Sequence, residues 1–497
     1  MRQRCRARTG LAAMAALCVV GLVPGPAMAA PGDGSGDPAP YRNADGAQKV
    51  AGTESSADAP PIRPGFYEDS IGPGEKLYYS VTLDEGSGAF VSAVAVPKPG
   101  GSVKYGDGIK ASLQSTDNAE CGSGDANFGS GEQPRPIAAY ATRTIKEGGN
   151  CQEPGAYYFV VERTSDPTSD PGKWPLEIRY MSEPGLKSPG STAAPTSWPS
   201  ASPTLPLKQA RNREGGTGFN DAPALDEGVW KDRLQPGETR FYRIPLDWGQ
   251  QLAGRLELAN GAMTQDSGYA SAGLTYELYN TARGRVDDDS MAYNGEQKSV
   301  TTGPTAPVAY ANRFSTTTAV NGMQVAGWYY LAVSLHQDVG KFTKGGIPLI
   351  LRLNIDGEAK PGPQYDGDAA AAGFGLTDED REAAEKGQTA AERAKSDTLT
   401  LIAAAGIGAG TVLLVGLGMW MLVARRRAGG AAAAGGSPYE GAPAQRTGFP
   451  PGAALPHQQS PVPPWHQAGQ PQPGQPHAGQ QSAGPPQDPR YGQPPGR

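Results

Sequence analysis

A chain of 497 residues has room for about three domains of ordinary size, but its 69 glycines and 47 prolines leave only part of that length for packed core. Charged residues make up 19% and the formal net charge is -6. No basic field exists to release counterions from a phosphate backbone, which excludes nucleic-acid binding as a function class.

The N-terminus reads as an export signal over residues 1–29. MRQRCRAR precedes the apolar run GLAAMAALCVVGLVPG, and Ala27 and Ala29, either side of Met28, are the small residues for cleavage before Ala30. Cys5 and Cys18 leave with it, and Leu17 is too bulky for a lipoprotein signal at Cys18. Residues 30–60 are polar and rich in Gly, Ala and Pro, and are expected to lack order.

From residue 61 to 185 the pattern changes to short alternating strands. In YYSVTL, Tyr79, Val81 and Leu83 alternate with Tyr78, Ser80 and Thr82, the two-residue period of a strand with one wet face. Pro73-Gly74 supplies the turn before it. Cys121 and Cys151 are the two cysteines left after export, and an even number outside the cytoplasm reads as one disulfide.

KSPGSTAAPTSWPSASPTLP lies within 186–214, a Pro/Ser/Thr linker expected to be extended and to tether its neighbours with some freedom. After it the chain repeats itself. Gly65, Asp69, Pro73, Gly74, Glu75, Tyr79, Leu83 and Asp84 recur as Gly228, Asp232, Pro236, Gly237, Glu238, Tyr242, Leu246 and Asp247, and GAYYFVVERTSD from Gly155 recurs as GWYYLAVSLHQD from Gly327. The order and spacing hold from end to end, so residues 215–360 read as a second copy of 61–185. Neither copy has a convincing helical stripe. The expected fold is mainly β: two tandem antiparallel jelly-roll-like β-sandwiches, one transmembrane helix and a disordered tail.

The spacing of Trp230, Asp232, Pro236-Gly237-Glu238 and Tyr242, followed by LTYELYN and GWYYL, resembles the bacterial pre-peptidase C-terminal domain and related carbohydrate-module-like sandwiches. That resemblance implies an accessory binding or spacer domain at a cell surface, and it carries over no catalytic residues. The Ala/Gly/Pro/Arg-rich composition and the single anchor described below resemble a surface protein of actinobacterial type.

Few residues offer chemistry. His336 is the one histidine outside the C-terminal tail, which holds His457, His466 and His477. No HExxH motif is present, and a catalytic triad would have to be built on His336, which follows a strand at the start of a loop. The chain is therefore expected not to be an enzyme and to need no cofactor. Asp287, Asp288 and Asp289 read as an acidic loop after a strand, with oxygen ligands of a type that suits calcium. Trp230, Trp248 and Trp328 occur only in the second copy, where the first has Tyr67, Glu85 and Ala156. Trp248 is the one expected to be exposed, as a platform on which a sugar ring stacks, whereas Trp230 and Trp328 flank strands and read as core.

Residues 361–397 include LTDEDREAAEKGQTAAERAKSD, with a capping box at Thr377 and Asp380 and no apolar stripe, and read as a solvated juxtamembrane stalk. The stretch 398–424 has no charge over a length sufficient to span a bilayer. Arg425, Arg426 and Arg427 follow it and place the C-terminus in the cytoplasm. Gly406 and Gly410 form a GxxxG face suited to a transmembrane homodimer. Residues 425–497 are rich in Pro, Gly and Gln and are expected to be disordered. Together these features predict a single-pass membrane protein, N-terminus outside, that displays binding domains toward an envelope protein or cell-wall glycan. The alternatives are an accessory role in an envelope secretion or peptidase complex, a role in cell-wall glycan binding and, last, a hydrolytic enzyme.

Overall fold

The computed structural model describes residues 38–429, and the side chains among them except those of 394–410 and 427–429. The export signal and residues 430–497 of the tail lie outside the described residues, as do the contacts of Gly406 and Gly410.

Eight strands build the first sandwich: β1 (Gly65–Ile71), β2 (Lys76–Leu83), β3 (Gly88–Ala95), β4 (Gly108–Ser115), β5 (Glu120–Asn127), β6 (Ile137–Arg143), β7 (Gly155–Thr164) and β8 (Trp174–Glu183). One sheet runs β1-β8-β3-β6 and the other β2-β7-β4-β5. The second sandwich has β9 (Gly228–Leu234), β10 (Thr239–Leu246), β11 (Gln251–Leu258), β12 (Ala270–Tyr279), β13 (Arg285–Tyr293), β14 (Lys298–Thr302), β15 (Gly327–Leu335) and β16 (Ile347–Asp356). Its sheets run β9-β16-β11-β14 and β10-β15-β12-β13, the same order shifted by eight. Neighbours within these sheets are antiparallel.

The residues shared by the two halves make the same contacts. Tyr79 Oη donates to Asp69 Oδ2 at 2.7 Å, and Tyr242 Oη donates to Asp232 Oδ2 at 2.7 Å. The same carboxylates accept from the backbone N–H groups of Gly52 and Gly215. Burial first, and then the adjacent carboxylate, pushes both phenols far above their ordinary range. Gly74 and Gly237 take φ of 71° and 84°, the left-handed region that each Pro-Gly turn requires. Cys121 and Cys151 form a disulfide that ties β5 to the loop before β7.

Alternation predicts the burial of β2 but not that of β10. Leu77, Tyr79, Val81 and Leu83 are buried while Lys76, Tyr78, Ser80 and Thr82 are not, so β2 has one wet face. In β10 every residue from Phe241 to Leu246 is buried. The face expected to be wet packs against the first sandwich: Phe241, Tyr279, Tyr330 and Ala332 meet Val94 and Ala138, with Phe219 among them. Three ion pairs cross this seam, each nearly or wholly buried: Arg283 to Glu177 at 2.9 Å, Arg313 to Glu183 at 2.6 Å and Arg135 to Glu277 at 3.3 Å. Glu177 also accepts from Tyr41 Oη, the Ala44 N–H and Asn220 Nδ2, so its buried charge is well compensated. The two halves are fused through a seam, and the freedom expected from the linker is absent.

Three segments expected to be loose are also pinned. Gln48–Lys49 pairs in parallel with β1, so residues 38–60 are tied to the sheet edge rather than lacking order. The linker lies on the second sandwich, with Trp198 packed against its core. The expected stalk folds back: Phe374 is buried between Phe90 and Met181 of the first sandwich and Ala282 and Val325 of the second. It then enters α1 (Asp378–Lys386) through the predicted capping box at Thr377 and Asp380. Ala383 and Ala384 are buried, so this helix docks through a face of small residues too weakly apolar to register as a stripe.

A second helix, α2 (Ala390–Gly429), contains 398–424. Along it Leu413, Leu417, Trp420 and Leu422 are exposed. Among the described residues no helix is long and apolar enough to cross a membrane.

Candidate ligand-binding cleft

The aromatic side chain singled out in the sequence, Trp248, is not exposed. It follows β10 in the turn that Gly249 closes with φ of 81°, and only 8% of it meets solvent. Its carbonyl accepts from the Lys360 N–H at 2.9 Å, and Gly362 lies so close to the indole that a methyl group there would clash. The chain leaving β16 has folded over it. What remains of Trp248 forms one wall of a cleft of about 480 Å³, together with Trp198, Tyr310, Pro307, Lys360 and Pro361.

Tyr310 is placed by Arg313, whose guanidinium stacks on its ring at 3.4 Å while pairing with Glu183. Burial raises its phenol above the ordinary range. Trp198 is half-buried on the opposite side, set by its contact with the core and by the adjoining Pro199 carbonyl, which accepts from Gln251 Nε2 at 2.9 Å. Trp198 also lines a second, neighbouring cleft of about 340 Å³ with Tyr276, Asp287, Asp288, Asp289 and Pro304. The segment from Gly303 to Tyr310 runs along both. Trp198 thus lines both the cleft that holds Trp248 and the cleft that holds the three aspartates.

The aspartates are on strand β13, not in a loop. Strand pairing sets Asp287, Asp288 and Asp289 opposite Leu278, Glu277 and Tyr276, so successive carboxylates leave on alternate faces. Asp287 accepts from Tyr276 Oη at 2.9 Å and from Thr302 Oγ1 at 2.8 Å. Asp288 turns to Arg285 at 3.6 Å. Its carboxyl is raised above the usual range by desolvation, which is opposed first by the Arg285 charge and reinforced by the smaller repulsions of Glu277 and Asp287. Among the described residues no three His, Cys, Asp or Glu side chains gather as a metal would need. The run is better suited to accepting hydrogen bonds at the cleft rim than to enclosing a calcium ion.

His336 caps a short turn instead of standing free in a loop. Its Nδ1 accepts from the Asp338 N–H at 3.0 Å, which leaves Nε2 protonated and donating to the Gly131 carbonyl of the first sandwich at 2.8 Å. Both nitrogens are used, and the ring serves the seam. Trp230 is buried as expected. Trp328 is only partly so: Arg243 covers its face at 4.1 Å, and its Nε1 donates to Asp380 at 3.3 Å, which links β15 to α1.

No family model matches this chain, and no curated protein does. Solved structures similar to it include the pre-peptidase C-terminal domain of a collagenase from Bacillus anthracis, 16% identical over 29% of this chain and 97% of that one, with a TM-score of 0.16. A CBM22 tandem domain from Paenibacillus barcinonensis is 10% identical over 60% of this chain and 92% of that one, with a TM-score of 0.17. A CUB-EGF-CUB fragment of human MASP-1/3 is 7% identical over 58% of this chain and 99% of that one, with a TM-score of 0.15.

Sequence reasoning missed Trp198 and Tyr310. A tryptophan inside a Pro/Ser/Thr segment is itself a signal, because so large an apolar ring gains most when it is buried against something. Tyr310 carries no local mark, since it is recruited by an arginine whose partner carboxylate belongs to the other half of the chain.

Proposed function

We propose that this chain is a non-catalytic binding protein of the cell envelope, in which two duplicated eight-stranded jelly rolls are fused into one exported body. The observation that carries this reading is the cleft itself: Trp198, Trp248 and Tyr310 converge on one space, with the carboxylates of β13 beside it. Aromatic faces with hydrogen-bond acceptors at the rim suit a ligand that has both apolar faces and hydroxyl or amide donors, as a cell-wall glycan or an envelope protein segment does. In this reading the charge-free stretch 398–424, whose side chains are described only from residue 411 onward, crosses the membrane once, with the arginines that follow it on the cytoplasmic side. The exposed Leu413, Leu417, Trp420 and Leu422 support this, because such a row is costly in water and favourable in lipid.

The test is retention of the detergent-solubilised full chain on purified cell-wall polysaccharide and on immobilised envelope extract, with Tyr310→Ala as the control. Retention that falls at least tenfold in the variant is expected. Equal retention of the two proteins would remove the cleft from the function. Protease added to intact cells is expected to cut within 38–393 and leave a tail epitope intact.

A further inference from the structure

The outer face of the β9-β16-β11-β14 sheet carries a passenger: the chain's own residues 195–207. Gln251 Nε2, on β11, donates to the Pro199 carbonyl at 2.9 Å. Arg352 Nη1, on β16, donates to the Pro206 carbonyl at 3.2 Å. Trp198 lodges against the core between these strands and the 303–310 segment. Pro203, Leu205 and Pro206 are also half-buried, and the remainder of the segment is open. Leu207 is 86% exposed, most of the residues from Ser191 to Pro199 are open to solvent, and a space of about 430 Å³ remains between Ser202–Leu205 and the sheet. The sheet therefore reads two backbone carbonyls seven residues apart and one aromatic side chain, which is how extended proline-rich chains are recognised.

We infer that this sheet face is a binding groove for an extended, uncharged, proline-rich peptide with one aromatic anchor, and that residues 195–207 occupy it in cis as an exchangeable guard. The inference shares Trp198 with the cleft but goes beyond the cleft ligand, because it concerns the adjoining sheet face and a peptide read through its backbone carbonyls. Two side-chain donors and one ring hold the segment, and its covalent tether supplies the rest by keeping its effective concentration in the millimolar range. A peptide arriving in trans must compete with that tether. When the guard is displaced, Gln251 and Arg352 are left with open donors to satisfy, which favours a partner of the same backbone chemistry over an apolar one.

The experiment uses the full chain in detergent and a fluorescent synthetic peptide of residues 195–207, followed by anisotropy. Trp198→Ala, which removes the anchor of the guard, is expected to bind the peptide at least about tenfold more tightly than the unaltered chain. Adding Arg352→Ala to that variant is expected to weaken binding about tenfold again. If Trp198→Ala and the unaltered chain bind equally, or neither binds, the groove is not a peptide site. Binding that ignores Arg352→Ala overturns the carbonyl-reading geometry. A second variant, in which 195–207 is replaced by Gly and Ser, gives the same readout without depending on one tryptophan. Polysaccharide retention of Tyr310→Ala and peptide binding of Arg352→Ala, measured alongside, separate the two readings, since Tyr310 lines the cleft and Arg352 does not.

Discussion

The two sandwiches share strand order, turns and an internal Asp-Tyr contact, yet they treat the same surface in opposite ways. On the β2-β7 face of the first, Tyr78 and Tyr158 meet edge to face at 6.3 Å with Lys76 above, half open to solvent. On the matching β10-β15 face of the second, Phe241 and Tyr330 are buried under the first sandwich. The contact is therefore heterologous. The β1-β8-β3-β6 face of one half meets the β10-β15-β12-β13 face of the other, and each half keeps a different face clear of the seam. The two halves share one strand order, and the seam gives them unequal work.

The sharpest way to break that asymmetry is Arg283→Ala, which strands the Glu177 carboxylate inside the seam. The expected cost is about 3–5 kcal/mol, read as a lower urea midpoint for the whole chain. Acid reaches the same contact more gently. Burial alone would raise the Glu177 carboxyl, but Arg283 and the donors from Tyr41, Ala44 and Asn220 outweigh it and hold it below the usual range. Its contribution is full above the ordinary carboxylate range and is lost as pH falls through the lowered folded value. Stability of Glu177→Gln is therefore expected to vary less with pH below about 4 than that of the unaltered chain.

Next in size is the disulfide, which only the first half has. Replacing Cys121 and Cys151 by serine opens a loop with a sequence separation of 30, and the chain-entropy account gives a loss of roughly 3–4 kcal/mol. Because the halves are fused, the loss is expected to lower one common unfolding transition instead of producing a separate early one. Two resolved transitions in a calorimetric scan would show that the seam does not couple them. Smaller, and deliberately symmetric, are Tyr79→Phe and Tyr242→Phe. Each removes one hydrogen bond to a carboxylate, worth about 1.5–3 kcal/mol, and the two losses should match within about 0.5 kcal/mol if the shared residues do the same job in both halves.

What could be read beforehand follows the range of the interactions involved. The strands, the Pro-Gly turns, the capping box at Thr377 and Asp380 and the Cys121–Cys151 bond depend on neighbours in sequence or on a count of two thiols, and each left a visible mark. The seam left none, because Arg283, Arg313 and Arg135 look like any surface arginines until Glu177, Glu183 and Glu277 are brought to them by the fold. The same reason explains the misplacement of Trp248. An Asp-Trp-Gly turn reads as exposed, and only the return of Lys360 and Gly362 covers it. Asp287, Asp288 and Asp289 read as a loop because three successive acids break the alternation of a half-buried strand, yet β13 is an edge strand whose open side tolerates charge.

The free face of the first sandwich supplies the smallest expected effect and the control for all the others. Lys76 and Glu162 pair there at 2.7 Å with both side chains about two-fifths exposed. Glu162 raises the Lys76 ammonium above its ordinary range, and burial opposes this only in part. Solvent screening limits such a pair to roughly 0–1 kcal/mol, so Lys76→Ala should shift the urea midpoint little, and less still in high salt. A loss comparable to that of Arg283→Ala would mean that this face is covered as well, by a partner that binds where the second half keeps its seam. The two faces would then differ only in whether the cover is covalently attached.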